Sequence, residues 1–111
     1  MKLLIYVMNR VEKLNGFLHE LKERNVSGAT IIDGTGMARE LMQNDDMNMF
    51  MSLRSLFSNP GAPSKVIMMV LKNEEEVNTV LEAIDNVVNL NEPNSGIVFT
   101  LPVDFVKGMK R

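Results

Sequence analysis

At 111 residues the chain has room for one domain with a modest core, and its net charge of −2, with Lys and Arg scattered, argues against a nucleic-acid or anionic-membrane surface. It contains no cysteine, so there is no disulfide, no thiolate metal site and no cysteine nucleophile. The apolar run Leu3–Val7 is too short for a signal-peptide core, and no stretch approaches the ~20 apolar residues of a membrane span, so a cytoplasmic protein is expected.

Taken in order, Lys2 to Met8 reads as a strand with apolar residues on both faces. Asn9 and Glu12 have the spacing of a capping box, and Val11, Leu14, Leu18 and Leu21, with Phe17 beside them, form the stripe of a first helix that ends at Asn25-Val26-Ser27-Gly28. Residues 29–33 form a second strand leading into Gly34-Thr35-Gly36. Residues 65–71 are a third strand. Asn73 and Glu76 repeat the capping-box spacing, and Glu74, Glu75 and Glu76 place carboxylates at the positive end of a helix. That helix carries the cleanest periodicity of the chain, in Val77, Val80, Leu81, Ile84, Val87 and Val88. Residues 90–95 are a polar turn, 96–101 a fourth strand, and 102–110 a short terminal helix.

Between the second and third strands lies a connector, residues 37–64. Loops longer than ~15 residues are uncommon in compact domains unless they serve a function or are disordered. This one holds Met37, Met42, Met47, Met49 and Met51, half of the ten methionines, with Phe50, Leu53, Leu56 and Phe57. Thioether side chains adapt to varied surfaces, so the segment reads as a recognition loop. Its partner-contact residues are expected to be Met47, Met49, Phe50, Met51, Leu53, Arg54 and Phe57, with residues 47–57 able to form a short helix that docks in a groove.

The order strand-helix-strand, connector, strand-helix-strand predicts a single α+β domain of ferredoxin-like βαβ-βαβ type. Its sheet is four-stranded and antiparallel, with two helices on one face. With helices on one side only, alternate strand residues should be polar, yet the first and third strands are apolar throughout. Both faces then need cover, which predicts a homo-oligomer joined through its sheets.

This organisation resembles the PII signalling proteins and their PII-like relatives. The resemblance is carried by residues 77–84 (Val-Asn-Thr-Val-Leu-Glu-Ala-Ile), similar to the second helix of that family, and by residues 96–103 (Gly-Ile-Val-Phe-Thr-Leu-Pro-Val), similar to its Gly-Lys-Ile-Phe-Val-Leu-Pro-Val. Gly34-Thr35-Gly36 stands where the family has Gly-Phe-Gly before its T-loop, and Lys65-Val66 where the chain leaves that loop. The resemblance implies a homotrimer that senses adenine nucleotides in clefts between subunits and touches a target protein with its T-loop, in nitrogen or related metabolic regulation. The implied ligand residues are Gly34, Thr35, Gly36, Met37, Lys65, Ser95, Gly96 and Lys110.

Departures from the family pattern fall on the ligand chemistry. The Gly-Asp-Gly-Lys run that cradles phosphates is Asn94-Ser95-Gly96-Ile97 here, and the Arg-Gln after Gly-Phe-Gly is Met37-Ala38. The arginine pair near the family C-terminus is represented by Gly108 and Lys110, and the connector has no tyrosine to be uridylylated. No cofactor is required by the sequence; an adenine nucleotide is the ligand that the resemblance suggests.

Other candidates have plainer readings. His19 has no visible partner for metal binding or base catalysis, Asp45-Asp46 lacks the spaced oxygens of a calcium loop, and Ser52, Ser55 and Ser58 have no nearby base. An enzyme is the least supported class. The rival to a ligand sensor is a constitutive interaction module whose ancestral nucleotide site has decayed. An amino-acid-binding ACT-like domain shares the element order but joins its second and third strands by a tight hairpin, and an RNA-binding RRM would need exposed aromatics and basic charge.

Overall fold

The computed structural model describes residues 1–43 and 63–109. Four strands, β1 (Lys2–Met8), β2 (Thr30–Gly34), β3 (Ser64–Leu71) and β4 (Gly96–Pro102), form one antiparallel sheet in the order β2-β3-β1-β4. Helix α1 (Leu14–Glu23) joins β1 to β2, and α3 (Glu74–Asp85) joins β3 to β4. A seven-residue helix, α2 (Met37–Gln43), begins the long connector. This is the ferredoxin-like α+β arrangement that the element order predicts.

Both crossover helices pack on one face of the sheet because the strands alternate. Leu4, Tyr6 and Met8 on β1 and Ile67, Met69 and Leu71 on β3 are buried against Phe17 and Leu21 of α1 and Val77, Val80, Ala83 and Ile84 of α3. Tyr6 meets Phe17 edge to face, with ring centroids 5.5 Å apart. Its hydroxyl is buried with no hydrogen-bond partner among the described residues, and burial pushes its pKa up to about 12, so the phenol stays neutral. Arg24 ties the two helices across their outer surface, 3.4 Å from Glu20 and 3.7 Å from Glu82.

The second capping box forms. Asn73 accepts a 2.9 Å hydrogen bond from the Glu76 amide, and Glu76 accepts in return from the Lys72 amide at 3.4 Å. Replacing Asn73 with Ala leaves a first-turn amide without its acceptor, and urea denaturation is expected to show a loss of about 1 kcal/mol. The first capping box does not form. A 3-10 turn (Val11–Lys13) follows Arg10, no side chain caps it, and α1 starts only at Leu14. The spacing of Asn9 and Glu12 is met by chance; the helix begins where its apolar stripe first reaches the core.

The predicted terminal helix is absent as well. Residues 103–109 are irregular: the Val103 amide donates to the Met1 carbonyl at 3.2 Å, prolonging the ladder, and Gly108 sits at φ +93°, which no α-helix accommodates. The contact face expected at residues 47–57 lies outside the described residues, as does Lys110.

The register defines the other face of the sheet row by row. Ile32, Val66, Val7 and Ile97 form one row; Thr30, Met68, Ile5 and Phe99 the next; Val70, Leu3 and Leu101 the third. Thr30 is the one polar residue in these rows, and no helix among the described residues covers them. Ile97 is 59% exposed, and Ile32, Phe99 and Leu101 are also exposed. Among the described residues this four-strand apolar face is left without cover.

Candidate functional site

The residues expected to bind a ligand gather at one end of the sheet. Asp33 on β2 lies opposite Lys65 on β3, Lys65 opposite Met8 on β1, and Met8 opposite Gly96 on β4. This row crosses the whole sheet where the long connector leaves and rejoins it. β2 and β4 are the two edges, so Gly34 and Gly96 stand three strand spacings apart, roughly 14 Å. Within one chain the row aligns Gly34-Thr35-Gly36-Met37 with Ser95-Gly96 but does not bring them together.

At the β2 edge, Gly34 pairs with Ser64, and a side chain here would meet Ser64 Oγ at 2.8 Å and Val66 Cγ2 at 3.3 Å. Close strand packing accounts for this glycine. Gly36 is different: a Cβ would touch nothing within 4 Å, and its carbonyl accepts from the Glu40 amide at 3.1 Å as α2 begins. Thr35 is exposed, and Met37 is 73% exposed.

Lys65 does not point freely into solvent. Its ammonium pairs with the carboxylate of Asp33, its cross-strand neighbour. The hydrogen bond from Lys65, reinforced by its charge, holds the Asp33 carboxyl below its ordinary value of 3.8. A carboxyl whose pKa is lower in the folded state contributes stability above its unfolded value and loses it as pH falls through the folded value. Thermal melts should therefore show part of the acid destabilisation below pH 3.8 disappear in Asp33→Asn, while the variant is slightly less stable at pH 7. The pair is solvent-exposed, so both effects are small.

At the β4 edge the chain makes a tight turn. Asn94 has φ +58° and Gly96 φ +125°. The Ser95 hydroxyl is buried and donates to the Glu92 carbonyl at 2.8 Å, so it serves the turn. A Cβ on Gly96 would lie 2.3 Å from the Val7 carbonyl oxygen, which makes glycine obligatory. Ile97, at the position of the family's phosphate-binding lysine, projects from the uncovered apolar face.

Sequence reasoning missed Asp33, the partner of Lys65, although it directly precedes Gly34. The strand register alone places it opposite a residue 32 positions away. Arg10 and Glu92 were missed for the same reason: they stand 82 residues apart and meet at 3.5 Å beside the β4 turn. Among the described residues, no group of three or more His, Asp or Glu side chains is placed to hold a metal ion, and no helix is long and apolar enough to cross a membrane.

No curated protein matches the chain. The family model described as "Nitrogen regulatory protein P-II" matches residues 1–111, its entire length. The glycines that flank the connector, the one-sided helix layer and the two-edged sheet thus fall within one established fold family. The chain belongs to the nitrogen regulatory protein P-II family.

Proposed function

We infer that this chain, as a member of a family of in general non-catalytic regulators, is itself a regulator. We propose that this chain is a homotrimeric regulator whose subunit clefts bind a small ligand, an adenine nucleotide or another anion, and whose 37–64 connector contacts a target protein in nitrogen or related metabolic control. One observation carries the reading: Gly34-Met37 and Ser95-Gly96 lie at the same end of the sheet but on opposite edges. Copies arranged in a ring bring the β2 edge of one subunit to the β4 edge of the next, and each junction then unites both halves of the site. The apolar outer rows supply the driving force for that ring.

A ligand regulates such a protein only by favouring one state of the connector over another. Both ends of the connector, at Gly34 and Ser64, adjoin the row that carries Lys65. An anion that draws Lys65 away from Asp33 changes the pairing at this neck. The test is hydrogen exchange with ATP, ADP, AMP, a cyclic nucleotide, bicarbonate or 2-oxoglutarate added singly. The reading expects slower exchange at residues 34–37, 65 and 95–96 with at least one of them.

Ile97 favours a second reading, a constitutive interaction module. Replacing a phosphate-binding lysine with an exposed isoleucine removes a charge from the ligand and adds apolar surface. Exchange that no compound changes, together with a stable complex in pull-downs through the connector, would decide for this module.

A further inference from the structure

A cleft of about 300 Å³ opens between the 3-10 turn that follows β1 and the segment that follows α3. None of the glycine-site residues lines it, but Glu92 joins it to the Ser95-Gly96 turn. Arg10 and Lys13 stand on one side, Asn89 and Glu92 on the other, with Val87 and Val88 between them. Val88 is buried and Val87 half-buried, so part of the lining is apolar and fixed to the core.

The charges are unequal. Two cations face one carboxylate, and Lys13 makes no ion pair among the described residues. Arg10 approaches Glu92 at 3.5 Å, well beyond the ~2.7–2.9 Å of a strong guanidinium–carboxylate bond, and a guanidinium has donors for more than one such contact. At the end of α3, Glu82 accepts from the Asn86 amide and Ile84 from the amides of Val87 and Val88. The Asn89 side chain is also occupied, accepting from the Asn91 amide at 3.0 Å. What the cleft offers is an excess positive charge beside a small apolar wall.

We infer that this cleft binds a small carboxylate with an aliphatic body, its carboxylate on Arg10 and Lys13 and its hydrocarbon against Val87 and Val88. Glu92 is the internal competitor for Arg10. Its carbonyl also accepts from the Ser95 hydroxyl, so an acid that displaces the Glu92 side chain acts on the turn that starts β4. The ligand inferred here differs in chemistry from the nucleotide proposed for the glycine sites, and the two sites meet at the Glu92–Ser95 turn.

The test uses 4-methylvalerate as the probe, titrated into the full-length protein and followed by amide chemical shifts. Saturable shifts are expected at residues 10–13 and 87–96. Butylammonium, of similar size and opposite charge, should not produce them. Arg10→Ala with Lys13→Ala should weaken binding about tenfold or more, the loss expected for charge-assisted hydrogen bonds. Glu92→Gln should tighten it several-fold by removing the competitor, a gain that a damaged fold would not show. Absence of saturable shifts at these residues, equal binding by the double variant, or weaker binding by Glu92→Gln would overturn the assignment.

Discussion

Gly96→Ala is expected to destabilise the protein by about 3 kcal/mol or more, among the largest effects of any single glycine replacement in the chain. Two costs combine. The residue sits at φ +125°, outside the region that L side chains adopt, and its Cβ would stand 2.3 Å from the backbone oxygen of Val7, an atom that no side-chain rotation can move. Val7 is paired with Ile97, so relief requires shifting the β1–β4 ladder at its first rungs. Gly36→Ala provides the comparison. Nothing lies within 4 Å of its added methyl, so its urea midpoint should stay close to that of the parent at the same protein concentration. Equal midpoints for the two variants would contradict the turn geometry described here.

Ile5→Asp should dissociate the proposed trimer while leaving each domain folded. Ile5 lies on a central strand, opposite Met68 on one side and Phe99 on the other, in the middle of the uncovered face. Its side chain is outside the core that Leu4 and Tyr6 form beneath the helices. A carboxylate placed there is hydrated in a free subunit but unpaired and buried in an interface, at a cost of about 3–5 kcal/mol. That corresponds to a dissociation constant higher by roughly two to four orders of magnitude. Light scattering at micromolar concentration should report monomers with an unchanged far-UV circular dichroism spectrum. Retention of the parental mass would show that the outer face is not the subunit contact.

The strands and the crossover helices were legible because local patterns and tertiary needs agree. Leu4, Tyr6 and Met8 alternate with Leu3, Ile5 and Val7, and the chain uses both sets: one under the helices, the other on the opposite face. Asn73 and Glu76 fix the start of α3 with atoms only three residues apart, so the signal is local and survives folding. The Asn9–Glu12 spacing looked the same and failed, because Arg10 turns the chain into a 3-10 segment first. The terminal helix expected over residues 102–110 does not form, and the left-handed Gly108 interrupts any such helix.

The site was less legible than the fold. Glycines were visible as letters, but their reasons differ: Gly34 for Ser64, Gly96 for Val7, Gly36 for no neighbour at all. Lys65 stands at the neck of the connector, and only the strand register reveals that Asp33 already holds it. Such pairings depend on register between distant segments, and periodicity within one segment carries no information about them.

The most direct measurement is the solution mass of the unmodified protein by sedimentation velocity. In the proposed trimer, neighbouring copies join the candidate ligand residues of the two sheet edges and cover the apolar rows between them. A single species near three times the 12.5 kDa chain mass is expected at micromolar concentration. A stable 12.5 kDa monomer would contradict it, leaving the outer face uncovered and Gly34 separated from Gly96 with no cleft to join them.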